Sequence, residues 1–146
     1  MLHATGVLKM LPYAFPHQLT VLNYHRIDDP LQAGFDSYKP NVSATPAAFQ
    51  RQMEYLQQHY HVVSLGQLAA WLRGECELPT RAALITFDDG YRDNFSNAYP
   101  LLRSLGLPAT IFLCTGCIGA ETPLKRSSLE KKSLNVMFAA PNRYFS

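Results

Sequence analysis

Ala82-Ala83-Leu84-Ile85-Thr86-Phe87-Asp88-Asp89-Gly90-Tyr91 is the stretch on which the fold turns. Its first six residues are almost unbroken apolar, the pattern of a strand covered on both faces rather than one alternating between core and water. At Asp88 the chemistry changes: two carboxylates and a glycine follow, so the strand ends in charge. Adjacent acids at a strand end point in different directions, which lets one bind a cation while the other faces substrate or water. The carboxyl ends of strands are also where α/β folds build their sites. The plain alternative is a strand-to-loop turn, signalled by Asp-Gly, whose acids cap the helix that follows.

Working outward from this strand, three more strand candidates occupy residues 19–25 (LTVLNYH), 61–65 (HVVSL) and 109–115 (ATIFLCT). Helices are predicted between them. Thr45-Pro46 supplies a capping hydroxyl and a first-turn proline. Behind them Phe49, Met53, Leu56 and Tyr60 fall at spacings of 4, 3 and 4, one apolar stripe for one buried face. Ser64 and Gln67 form a capping box ahead of an amphipathic helix marked by Leu65, Leu68, Ala69 and Leu72 and closed by Gly74. After Gly90, residues Phe95, Ala98, Tyr99, Leu102 and Leu105 mark a third helix, kinked or restarted at Pro100 and stopped by Gly106 and Pro108. Strands alternating with crossover helices predict an α/β protein with a parallel sheet.

The 146 residues allow one domain of ordinary size, and 47% hydrophobic content is enough to give it a core, so wholesale disorder is excluded. Charge is uneven. Residues 1–120 hold 8 Lys/Arg against 9 Asp/Glu, whereas residues 121–146 hold 5 against 2. No basic stripe lies on the predicted elements, so no nucleic-acid partner is expected. Cys76, Cys114 and Cys117 are too few for a disulfide framework. Cys114-x-x-Cys117 follows a strand without a helix signal and lacks a second Cys or His pair, which argues against a redox or zinc role. No window approaches the roughly 18 apolar residues of a membrane helix, so no transmembrane segment is expected. Lys9, Pro12 and Pro16 interrupt what would be a signal-peptide core in the N-terminal leader segment, residues 1–18. From Glu121 the element pattern stops: residues 121–146 read as a basic tail of unclear structure, with one short helix around 127–138 and no fifth strand.

TFDDGY (residues 86–91), followed by RDNFSNAYPLLRSLGLPATIFLCTGCIG, resembles the first motif of the polysaccharide deacetylases, the NodB-homology or carbohydrate esterase family 4. Upstream, VLNYHRI and TPAAFQRQMEYLQQHYHVVSLGQLAAWL are similar to the subgroup of poly-N-acetylglucosamine deacetylases. The resemblance runs over residues 19–120, the expected N-terminal part of such a domain. It implies an incomplete (β/α) deacetylase-type barrel, with about four strands and three helices. It also implies hydrolysis of N-acetyl groups of an N-acetylated polysaccharide by a divalent metal, usually zinc. By the same resemblance Asp88 is the general base that activates water and Asp89 a metal ligand; His25, at the carboxyl end of the first strand, is a candidate substrate contact or group behind the site, with a hydrogen-bonded structural histidine as the favoured alternative. Family members are often cell-envelope or extracellular proteins.

The departures are specific. The family takes two further metal ligands from a His-x-x-x-His type motif downstream of the Asp pair, whereas all five histidines here, His3, His17, His25, His59 and His61, precede residue 62. Catalytic zinc normally has about three protein ligands. A closed barrel usually needs ~200 residues or more, and four strands leave the strand at 109–115 with an open edge unless the tail covers it. The expectation is a truncated deacetylase without turnover by itself, its tail out of the family's reading frame or cut short. Alternatives are a non-catalytic glycan-binding remnant and a magnesium-dependent phosphoryl-transfer domain. The latter is disfavoured because no Gly-rich phosphate loop is present.

Overall fold

The apolar run ending in Asp88-Asp89 is the middle of a sheet in the computed structural model, which describes residues 18–33, 35, 39–115 and the backbone of 134–139. Strand β5 (Ala82–Asp89) has residues 82–87 all buried. Strand β1 (Thr20–Tyr24) runs parallel to it, in register from Thr20 opposite Ala83 to Tyr24 opposite Phe87. Strand β4 (His61–Val62) lies beside Ala82 and Ala83, and β6 (Ala109–Cys114) is parallel to β5 from Thr86 to Asp89. A small separate ladder pairs β2 (Arg26–Ile27) with β3 (Val42–Ala44), just beyond β1.

One face of this sheet carries the core. Helix α1 (Pro46–His59) buries Phe49, Met53 and Leu56, the expected stripe, in one cluster with Tyr24, Ala83, Ile85 and Phe87 from the strands. Tyr24, Phe49 and Phe87 form an aromatic trio with ring centroids 5.2 to 5.9 Å apart, in edge and stacked contacts worth about 1 kcal/mol each beyond their area. The Tyr24 hydroxyl donates to Gln52 Oε1 at 2.8 Å, and burial pushes its pKa up to about 12. Thr45 Oγ1 caps α1 through the Ala48 amide, with Pro46 in the first turn as expected.

Helix α2 (Leu65–Leu72) begins at the predicted capping box, the Ser64 amide donating to Gln67 Oε1 and the Gln67 amide to Ser64 Oγ. Its apolar stripe does not enter the core: none of its residues is buried, and Leu72 is 71% exposed. After Gly90 the chain makes a π-helical stretch, Asn94–Ala98, and restarts as α3 (Tyr99–Leu105). Pro100 explains the restart, because it has no N–H to continue the ladder; the Tyr99 amide instead donates across the wider turn to Asn94 O. Gly106, at φ +68°, ends α3 in the left-handed conformation.

Two expectations need correction. The strand read over 61–65 is reduced to His61–Val62, because Ser64 is the N-cap of α2 and Leu65 its first residue. The tail is not without a strand: β7 (Leu134–Ala139) pairs antiparallel with β6, from Ala109 opposite Ala139 to Cys114 opposite Leu134. It occupies the edge that β6 would otherwise expose and overlaps the segment expected to be helical. The row of unpaired backbone groups on β6 and the Val and Phe of LNVMFA outweigh a weak helical preference. The sheet order is therefore β1-β5-β6-β7, with β4 beside the start of β5. The leader over residues 1–17, Cys117 and the rest of the tail lie outside the described residues.

Candidate active site

The sheet register decides which side chains meet. Asn23 lies opposite Thr86, and their side chains join: the Thr86 hydroxyl donates to Asn23 Oδ1 at 2.9 Å, with Leu22 O at 3.1 Å sharing the same hydrogen. This leaves the Asn23 amide nitrogen aimed one step further along β5, where it donates to Asp88 Oδ2 at 2.7 Å. The strand period of two thus puts Thr86 and Asp88 on one face, opposite the face that holds Phe87 in the aromatic core. His25, just past β1, brings Nε2 to 3.7 Å from the same Oδ2. The Asp88 and His25 side chains are 31% and 40% exposed, so the pair is open to solvent.

Asp89 follows with φ +69°, a left-handed conformation unusual for a residue with a Cβ, and Gly90 repeats it at φ +69°. A Cβ on Gly90 would run into the Leu113 side chain of β6, so a glycine is needed there for space as well as for conformation. The turn separates the two carboxylates. Neither acid caps the following helix: Asp88 is engaged by Asn23, and the residue at the head of the π-helical stretch is Asp93, without a side-chain cap bond.

A second set of polar residues escaped the sequence reading. Asp93, 6% exposed, accepts from Arg26 Nε at 2.7 Å and from the Ile27 amide at 2.8 Å. Arg26 also reaches Asp28 at 2.9 Å, and its guanidinium lies over the rings of Phe35 and Tyr91 at 5.1 and 5.2 Å. Asn94 Nδ2 donates to His25 O at 2.8 Å, and Asn97 Nδ2 to Ile27 O at 2.7 Å. Asn23 had a signal, as a polar residue within an apolar strand. Asp93, Asn94 and Asn97 had none beyond ordinary helix polarity, since their partners lie more than 60 residues away in sequence.

Of the described histidines, His59 and His61 do not join the site. His59 and His61 turn Nδ1 toward the carbonyls of Tyr55 and Thr80 respectively, each at 2.9 Å. Among the described residues no group of three or more His, Cys, Asp or Glu side chains comes together to hold a metal ion. Nor is any helix among them long and apolar enough to cross a membrane.

Residues 76–141 match the family model for polysaccharide deacetylase, a span that takes in the Asp pair, the π-helical turn, β6 and β7. This part of the chain is similar to the polysaccharide deacetylases. Over 126 residues it is 32% identical to the poly-beta-1,6-N-acetyl-D-glucosamine N-deacetylase of Staphylococcus epidermidis, covering 80% of this chain and 43% of that protein. Over 117 residues it is 29% identical to the putative polysaccharide deacetylase YxkH of Bacillus subtilis, covering 80% of this chain and 39% of that protein. The solved structure of IcaB from Ammonifex degensii superposes with a TM-score of 0.59 at 28% identity, over 71% of this chain and 41% of that one. The chain spans about two fifths of the length of these relatives. The likeness extends to the α/β architecture: the parallel strands and three helices correspond to part of a deacetylase-type barrel.

Proposed function

We propose that this chain supplies the base-bearing part of a polysaccharide N-deacetylase that hydrolyses N-acetyl groups of a glycan. The observation that carries the reading is Asp88: a solvent-open carboxylate at the end of the central strand, with Oδ2 held by Asn23 and His25 nearby. A fixed carboxylate with one engaged oxygen can take a proton from a water through the other, as a general base must. That water would attack the acetamide carbonyl, the C–N bond would break, and acetate and a free amine would result. His25 stands where it would contact substrate or steady the base. The S. epidermidis relative, named for deacetylation of poly-beta-1,6-N-acetyl-D-glucosamine, supports an N-acetylated polysaccharide as substrate class.

The family is metal-dependent, and Asp89 is the carboxylate that the resemblance gives to the metal, zinc. The described residues do not fit a complete site, because Asp89 has no cluster of further donors around it. A single carboxylate falls short of the about three protein ligands of catalytic zinc. No step is therefore derived through a metal, and the chain by itself is expected to release no acetate. The test is a chimera in which residues 19–115 replace the matching segment of the S. epidermidis relative, assayed for acetate release from short N-acetylglucosamine oligomers with added zinc. Turnover that falls by about 100-fold or more on Asp88→Asn is expected. A folded chimera without turnover would instead favour a non-catalytic glycan-binding role.

A further inference from the structure

We propose that Asp93, Asn94 and Asn97 are positioning residues that hold the His25 corner in front of Asp88. The inference rests on the reading of Asp88 and His25 as site residues. At 3.7 Å the His25–Asp88 pair lies beyond direct hydrogen-bond range, so the pair does not hold itself together. What fixes His25 is its backbone. Its amide donates to Ser43 Oγ at 2.9 Å, and its carbonyl accepts from Asn94 Nδ2. The next two residues are gripped by the same turn: Arg26 by the Asp93 carboxylate, and Ile27 by Asp93 at its amide and Asn97 at its carbonyl.

Three consecutive residues past β1 are thus tied to the turn that follows the site acids. Only the short segment from Asp89 to Arg92 separates Asp88 from Asp93, so base and clamp are close neighbours along the chain. The π-helical stretch serves this arrangement. Wide turns of this kind recur at functional sites, and here one brings residues 94 and 97 to the same segment of chain. A merely space-filling contact would not need buried charge. Asp93 and Asn94 are 6% and 2% exposed, and Asn94 Oδ1 has no hydrogen-bond partner, an arrangement that costs stability. Apolar residues could anchor a helix there, but they could not grip the backbone amide of Ile27 or the carbonyls of His25 and Ile27.

The clamp is tested on the chain as it exists, by a double-mutant cycle read in the His25 ring signal of a proton–carbon NMR spectrum at fixed pH. Asp88→Asn shifts that signal in the otherwise unchanged protein, because the ring lies beside the carboxylate. In Asn94→Ala and in Asn97→Ala the response to Asp88→Asn falls by roughly twofold or more, the coupling expected of residues acting through one another. Asp93→Asn behaves likewise if it folds. If it does not, the two asparagine variants carry the test, since they leave the Arg26 ion pair intact. Leu102→Ala, a core substitution in α3 that removes none of the hydrogen bonds to residues 25–27, is the control for general loosening and should leave the response unchanged. The proposal is overturned by an undiminished response in both asparagine variants, by an equal loss in Leu102→Ala, or by no response to Asp88→Asn at all. No turnover enters the measurement, so an inactive chimera leaves this result standing, and an active chimera with an undiminished response sinks the clamp alone.

Discussion

Asp88 and Asp93 sit on either side of one tight turn and are chemically the same side chain, yet their surroundings differ in every respect that matters. Asp93 is buried and holds an arginine and a backbone amide. Asp88 is open to solvent, takes one hydrogen bond from an asparagine, and has a histidine nearby but not in bonding range. A carboxylate whose oxygens are both occupied by charge and backbone is a structural anchor. One with a free oxygen at the rim of a sheet is available for chemistry. Apart from the family motif, the sequence does not separate the two, because both acids lie in one polar stretch at the end of the same strand.

Substitutions can break this contrast. Asp93→Ala should have the largest effect on stability, about 3 kcal/mol in urea unfolding, because it leaves the mostly buried Arg26 guanidinium with Asp28 as its remaining carboxylate and the Ile27 amide with no partner. A loss below about 1 kcal/mol would mean that water or Asp28 takes over, and that Asp93 is not the anchor described. Gly90→Ala acts on the turn between the two acids. It asks for a left-handed alanine and pushes a methyl into Leu113, so a loss of about 1–3 kcal/mol is expected, read as a lower unfolding midpoint with an unchanged slope. Asp88→Asn should change stability least, within about 0.5 kcal/mol, since the amide oxygen can still accept from Asn23 and the site stays solvated. The sharpest form of the contrast is that the variant expected to abolish turnover in the chimera is the one that barely moves the unfolding curve.

Much of the fold was legible because it rests on local signals. The Phe49-Met53-Leu56 stripe, the Thr45 and Ser64 caps, the restart at Pro100 and the stop at Gly106 each depend on residues a few positions apart. The tail was misread for the opposite reason. Its strand forms by pairing with β6, a partner some twenty residues earlier, and nothing within LNVMFA announces that edge. The α2 stripe was legible as an amphipathic helix, but amphipathicity says only that a face is apolar and not that anything covers it.

The sequence by itself determined the order of β1, α1, β4, α2, β5, α3 and β6, the central strand ending in two acids, and the likeness to the polysaccharide deacetylases. Each is written in contiguous residues. The tertiary structure decided which side chains share the strand end with Asp88, that His25 stands 3.7 Å away, and that Asp93, Asn94 and Asn97 grip the chain on either side of Arg26. Those contacts join residues more than 60 positions apart, and only the parallel register of β1 against β5 brings them within reach.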